Sequence, residues 1–340
     1  MTDALVEPLE APDGVRAAFR TTLEDAGVVE HRYGQADPGP GSDAAHDEPA
    51  VVSVVATDSG VRVDDDDTHR YATPDAVVDH HAPLVTDWFY WERTVGGHGT
   101  PERAFLRWLE GVDVADQTIA KRYDDLWKGL CRTWGQLTVC VERDRTGNRR
   151  YELRHVEDAA VEPDALRQID PFDLPELART DEDGDYRPLR GSETLQRGWR
   201  LRLDAGGVVR AVDDVYPASI ATWYRDRTDR LEPVSFRETA ARQTGHLRSL
   251  ADASRTDVAA VVRDRCSDCL KRRVWEFEGS DSDRVSAEST RDDRLVCPEA
   301  CALVRSDVRC RVVDDDGPDH DHGHDDESET SDSDRSDAFS

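Results

Sequence analysis

Lysine is nearly missing from this chain. Only Lys121, Lys128 and Lys271 occur in 340 residues, so arginine carries almost all of the positive charge. Against 44 basic residues stand 73 acidic ones, a formal net charge of -29. A chain so poor in basic surface lacks the electrostatic footing for non-specific binding to nucleic acid or to an anionic membrane. The composition predicts a hydrated carboxylate surface of the kind that keeps proteins soluble in a salt-loaded, halophilic cytoplasm. Long apolar runs are also lacking: none reaches the 18 residues of a membrane span. The opening "MTDALVEPLEAPDG" has neither the basic nor the apolar region of a signal peptide, so a soluble, cytoplasmic protein is expected. Nor is there a phosphate-cradling glycine loop, a dinucleotide fingerprint or a Ser-His-Asp set in recognisable context. No internal repeat of useful length occurs.

What is present is a mixture of helical and alternating patterns, which predicts an α+β fold. Residues 1–50 read as a helix, "PDGVRAAFRTTLEDAG", followed by a Gly-, Pro- and Asp-rich loop. "AVVSVVATDSGVRV" predicts a hairpin turning at Asp58-Ser59-Gly60. From Thr73 to Val95 the pattern is helical, with Pro83 expected to kink or divide it. "PERAFLRWLEG" and "VADQTIAKRYDDLWKGLCRTWG" read as amphipathic helices, the second with Ile119, Tyr123, Leu126, Trp127 and Leu130 on one face. "QLTVCVERDRTGNRRYELRHV" alternates on both sides of Thr146-Gly147-Asn148, predicting a hairpin with one wet face. A polar stretch from Val161 to Thr194 is expected to wrap the surface. "GWRLRLDAGGVVRAV" reads as a further hairpin with Gly206-Gly207 at its tip. Helices follow over "YPASIATWYRDR", "SFRETAARQTGHLRSLADA" and "RTDVAAVVRDR", the last ending at Cys266. Beyond Val313 the chain is too charged and too poor in apolar residues to fold alone. The expected organisation is an N-terminal helix and loop (1–50), an α+β domain (51–234), a small cysteine domain, mainly helical (235–313), and an acidic, His-rich tail (314–340).

Four or five of the seven cysteines fall into two clusters near the C-terminus. Cys266 and Cys269 form a Cys-x2-Cys pair; after 27 intervening residues comes the Cys-x3-Cys pair Cys297 and Cys301, with Cys310 nine residues further on. In a reducing compartment such clusters point to metal ligands rather than disulfides. Two close pairs brought together make a four-thiolate site, which suits either tetrahedral zinc or an iron–sulfur cluster; spacing alone does not choose. Pro298 at a helix start would leave Cys297 and Cys301 about one turn apart on one side, where the helix N-terminus favours thiolate. Trp275 and Phe277 could supply an apolar shell. Cys131 and Cys140, by contrast, read as two small buried residues.

The segments "DLWKGLCRTWGQLTVCV", "VYPASIATWYRDR" and "FRETAARQTGHL", followed by "CSDCLKRRVWEF" and "CPEACALV", resemble a family associated with CbiX-type sirohydrochlorin cobaltochelatases. The resemblance runs from about Asp75 to Val313. It implies a mixed α/β stabilising domain followed by a small domain holding a 4Fe-4S cluster on Cys266, Cys269, Cys297 and Cys301, with Cys310 a bystander or a substitute. It also implies a place in cobalamin biosynthesis and a chelatase of the CbiX type, or another enzyme of that pathway, as partner. The α/β chelatase unit with which fused members begin is not recognisable here. An accessory role is therefore expected. The alternatives are a chain that itself binds the tetrapyrrole and inserts metal as a lyase, with Arg237 and Arg242 gripping propionates, or a zinc-stabilised interaction module.

Among the histidines, His98 in "VGGHGT" is expected in a turn. The adjacent His80 and His81 point about 100° apart on a helix and suit packing or solvent rather than one small ion. His246 is expected near the cysteine domain. His320, His322 and His324 alternate with carboxylates in the tail, an arrangement able to wrap a cobalt, nickel or zinc ion without a preformed fold.

Overall fold

In a computed structural model the described residues are 9–33, 50–65, 67–96, 99–112, 117–180, 183–185, 195–228, 230–232, 234–242, 250–266, 294–295, 297 and 300–315. The expected α+β mixture is what they show.

The first unit begins with helix α1 (Asp13–Ala26), which buries Val15, Phe19 and Leu23 at helical spacing and ends on Gly27 in a left-handed conformation. Strands β1 (Val28–Tyr33), β2 (Ala50–Thr57), β3 (Gly60–Asp64) and β4 (Thr68–Tyr71) form an antiparallel sheet in chain order. The β2–β3 hairpin stands where its alternation places it. β1 is an addition to the expected elements; it pairs with β2 from Val28–Val55 to Tyr33–Ala50, so the ladder crosses the division placed at residue 50. Its pattern is short and interrupted by Glu30 and Arg32, and only the partner strand makes it a strand.

Helices α2 (Pro74–His80) and α3 (Ala82–Trp88) are divided next to Pro83, as the proline predicts, and a π-helix (Phe89–Val95) continues α3. Val77, Val78, Val85 and Trp88 pack with Phe19, Leu23 and the inner valines of the sheet to make the first core.

The second unit contains α4 (Pro101–Leu109) and α5 (Ile119–Lys128), capped by Thr100 and Thr118. The expected long helix stops at Lys128. Gly129 breaks it, and Leu130–Trp134 is strand β5, an outcome decided by pairing with β6 (Leu137–Arg143) rather than by local propensity. β6 and β7 (Arg149–His155) form the predicted hairpin. Gly147 in its turn has φ +82°, and a side chain there would collide with Thr86.

In the 161–180 stretch, β8 (Arg167–Gln168) runs parallel to β9 (Trp199–Leu203), and α6 (Leu174–Leu177) follows it. The five strands are ordered β5-β6-β7-β9-β8. The hairpin expected around Gly206-Gly207 is instead β9 followed by helix α7 (Ala205–Val215). The Asp204 side chain accepts from Gly207 N at 2.6 Å, a helix cap that the two glycines disguised as a turn. After α8 (Ser219–Arg227), Phe105, Trp108, Trp134 and Trp223 meet mostly edge-on against the inner face of the sheet.

A buried ionic knot joins the units. Asp87 on α3 accepts from His31 Nε2 of β1 at 2.8 Å, from Arg149 Nη2 of β7 at 2.9 Å, and from Arg122 of α5. Glu110 accepts from Arg149 Nε at 3.0 Å, and Tyr123 Oη from Arg149 Nη1 at 3.0 Å. Burial alone would favour the neutral acid at Asp87. Arg122, His31 and Arg149 outweigh it and hold the carboxyl far below the usual carboxylate range.

The third unit pairs β10 (Val234–Ser235) with β11 (Arg294–Leu295) and carries α9 (Phe236–Ala241), α10 (Arg255–Cys266) and α11 (Ala302–Asp315). Phe236, Leu250, Val258, Val261, Val262, Leu295, Ala300, Val304 and Val308 make its core.

Candidate metal centre

The last helix of the expected set, α10, delivers Cys266 at its C-terminal end, half-buried against the third core. Cys297 follows β11, whose Leu295 is buried in the same core, and is also half-buried. Cys301 precedes α11, and its carbonyl accepts from Arg305 N at 3.1 Å, which makes it the cap residue of that helix. Three of the four predicted ligands therefore sit at the ends of elements that converge on one small core, and all three are thiols outside any disulfide. Cys269 lies outside the described residues, as do Pro298, Trp275, Phe277, His98, His246 and the tail histidines His320, His322 and His324.

One detail of the expected geometry changes. Helix α11 begins at Ala302, so Cys297 and Cys301 are not two residues of one helical turn. Cys301 instead stands as the cap residue at the N-terminal end of α11.

Arg265 pairs with Asp307, and Arg311 Nη2 donates to Asp264 Oδ2 at 3.1 Å, which fixes the last turn of α10 beside the 307–311 turn of α11. Cys310 is exposed on that stretch. It lies nine residues beyond Cys301, a rise of about 13.5 Å and half a revolution about the helix axis. One small cluster is thus served by Cys301 or by Cys310, not by both.

Among the described residues no group of three His, Cys, Asp or Glu side chains is gathered as for a metal ion. The donor set nevertheless suits a thiolate-ligated metal or iron–sulfur cluster: Cys266 and Cys297 are half-buried, Cys301 is exposed, and no disulfide joins the three.

Cys131 and Cys140 depart from expectation. They are not buried; they face each other across β5 and β6 and form a disulfide, Cα–Cα 4.0 Å. The period-2 pattern places Cys140 in its strand, but only the β5–β6 register puts Cys131 opposite it. His80 is exposed, with Nδ1 2.7 Å from Ala76 O, and His81 is half-buried, with Nε2 2.6 Å from Tyr71 Oη. Burial lowers the His81 pKa below its ordinary value, as do His69 and His80, against an opposing pull from Asp65. Arg237 and Arg242 are both exposed on or beside α9. No helix among the described residues is long and apolar enough to cross a membrane.

No curated protein matches the chain. A solved structure, DR2241 from Deinococcus radiodurans, described as a multi-domain protein with structural similarity to chelatases and two additional novel domains, matches at 27% identity and TM-score 0.44. The match covers 70% of this chain and 47% of that one, so the chain spans about half the length of that protein. Residues 119–227 match the model of the DR2241 stabilising domain, covering α5 through α8 and the five-stranded sheet. Residues 228–310 match the model of a 4Fe-4S iron–sulfur cluster binding domain, which makes a 4Fe-4S cluster, rather than zinc, the cofactor of the cysteine unit.

Proposed function

We propose that the chain is an accessory protein of cobalamin synthesis that supports cobalt insertion into sirohydrochlorin by a separate chelatase of the CbiX type. The observation that carries this reading is the uninterrupted succession of a stabilising-type domain (119–227) and a 4Fe-4S domain (228–310), the order in which the resembling family carries them.

Cys266, Cys269, Cys297 and Cys301 are the ligands of this reading. A bound 4Fe-4S cluster supplies either one-electron transfer or a fixed cross-link between chain segments. The chain's own part is to hold the thiolates: α10 and β11 present Cys266 and Cys297 from the core, and Cys301 stands at the N-terminal end of α11. His320, His322 and His324 are assigned to cobalt or nickel donation, since imidazole alternating with carboxylate suits those ions.

The test is cobalt insertion into sirohydrochlorin, measured in high salt with the full chain alone, with a CbiX-type chelatase alone, and with both. The accessory reading expects no insertion by the chain alone and a faster rate with both. Insertion by the chain alone would make it the chelatase, and an unchanged rate with both would remove the partnership. Cobalt calorimetry on the full chain and on a version ending at Val313 addresses the tail: equal binding removes the delivery role.

A further inference from the structure

The Cys131–Cys140 bridge lies on the face of the second sheet opposite to its core. Register aligns Cys131, Cys140, Glu152 and Arg202 in one row across β5, β6, β7 and β9, and Thr133, Thr138, Arg154 and Arg200 in the next. Cys131 is exposed on β5, an edge strand of the sheet, and Cys140 is half-buried. Cys131 is thus carried on an approachable border, with Cys140 one strand further in.

This bridge is a short one. It closes a separation of 9 residues between neighbouring strands, and the stabilisation from a cross-link, which comes from constraining the unfolded chain, is smaller for a short loop than for a long one.

Arginines outnumber carboxylates in the rows beside the bridge. Glu152, directly across from Cys140, is neutralised by Arg154 at 2.7 Å, Arg202 at 3.4 Å and Arg200 at 3.7 Å; Arg200 also meets Asp164 at 3.2 Å. Three guanidiniums therefore stand against two carboxylates on this patch of a chain with net charge -29. Arg154 Nε and Arg200 Nε are buried with no hydrogen-bond acceptor, while Arg154 Nη1 donates to the carbonyls of Asp158, Ala159 and Val161. Nearby cations stabilise a departing thiolate.

The other described cysteines, Cys266, Cys297, Cys301 and Cys310, are thiols outside any disulfide, and a 4Fe-4S domain holds its cluster on thiolates. A compartment that keeps those thiols reduced is one in which an exposed bridge turns over rather than persists.

We propose that Cys131 and Cys140 form a redox-active pair that exchanges two electrons with a low-molecular-weight thiol. This proposal rests on the 4Fe-4S reading only for the redox compartment. A thiolate RS⁻ attacks the exposed Cys131 sulfur, the S–S bond breaks, and Cys140 leaves as thiolate. A second RS⁻ attacks the R-group sulfur of the mixed disulfide and releases RSSR and the Cys131 thiolate. The protein disulfide is reduced, two RSH are oxidised, and their two protons go to the protein thiols or to solvent according to pH.

The test equilibrates the full holoprotein anaerobically in cysteine–cystine mixtures, blocks free thiols by alkylation, and maps the Cys131 and Cys140 peptides by mass spectrometry, with iron assayed on the same sample. The expected result is a linked fraction that follows the ratio of the squared cysteine concentration to the cystine concentration reversibly while tryptophan emission stays constant. A pair that remains linked at every ratio until the chain is denatured is a structural bridge and overturns the proposal. A pair alkylated at every ratio, including excess cystine, overturns it as well. Cys131→Ser should abolish the transition and leave emission and iron content as in the parent. Iron content reports separately on the cluster, so loss of one reading does not imply loss of the other.

Discussion

Replacing Asp87 by asparagine should be the most damaging single change outside the cysteine unit. The knot holds two guanidiniums, Arg122 and Arg149, against two carboxylates, Asp87 and Glu110, all buried. Asp87→Asn removes one negative charge and leaves a net positive charge with no water to solvate it. Arg122 suffers most, because its Nε already lacks an acceptor and its ion pair is with Asp87. Breaking a buried pair from one side costs about 3–5 kcal/mol. With a urea slope of about 2 kcal/mol/M, the unfolding midpoint falls by about 2 M. Trp88, next to Asp87 along the chain, and Trp91, four residues beyond it, make tryptophan emission a suitable probe. The double change Asp87→Asn with Arg122→Met restores charge balance and should recover about 1–2 kcal/mol of the loss, since an apolar side chain in place of a buried ion is often neutral or better. High salt should change neither value, because buried pairs are poorly screened. A single-variant loss below about 1 kcal/mol, or a double variant no more stable than the single one, would refute the reasoning about buried charge.

Asp87 also sets an acid limit: with its folded pKa depressed, its contribution is complete above the ordinary carboxylate value and is lost as pH falls below it, so stability should decline below about pH 4 and Asp87→Asn should flatten that decline. His81 acts in the same direction at higher pH. Its folded pKa lies below the ordinary 6.5, so the folded state binds fewer protons, and stability is complete above that value and falls as pH drops through it; melting from pH 7 to pH 5 should show the fall, and His81→Gln should reduce it. At the cysteine unit, Cys301→Ser and Cys310→Ser should have opposite outcomes in an anaerobic iron and sulfide assay. The parent carries about four iron and four sulfide per chain; Cys301→Ser loses most of both and Cys310→Ser keeps them, and the reverse pattern would transfer the fourth ligand to the 307–311 turn beside α10.

Local chemistry sufficed for much of this molecule. Proline at position 83 divided a helix, and Thr146-Gly147-Asn148 turned a hairpin, because each acts on its own few dihedrals. Cysteine spacing likewise pointed to a four-thiolate site, and the 4Fe-4S domain agrees with it. Leu130–Trp134 and Ala205–Val215 resisted the same approach. The first has a helical apolar pattern that pairing with β6 overrides, and the second hides an aspartate-capped helix behind two glycines.

Three features had no local signature because each is made by residues far apart in the chain: β1 exists through β2, the charges around Asp87 come from β1, α5 and β7, and Cys131 meets Cys140 only through register. By itself the sequence determined the solvent-facing chemistry, the helix boundaries set by proline and caps, and the thiol-rich character of the C-terminal unit. Tertiary structure alone decided that Cys131 pairs with Cys140 and where buried charges balance. Those outcomes depend on distances between elements, and no spacing along the chain encodes them.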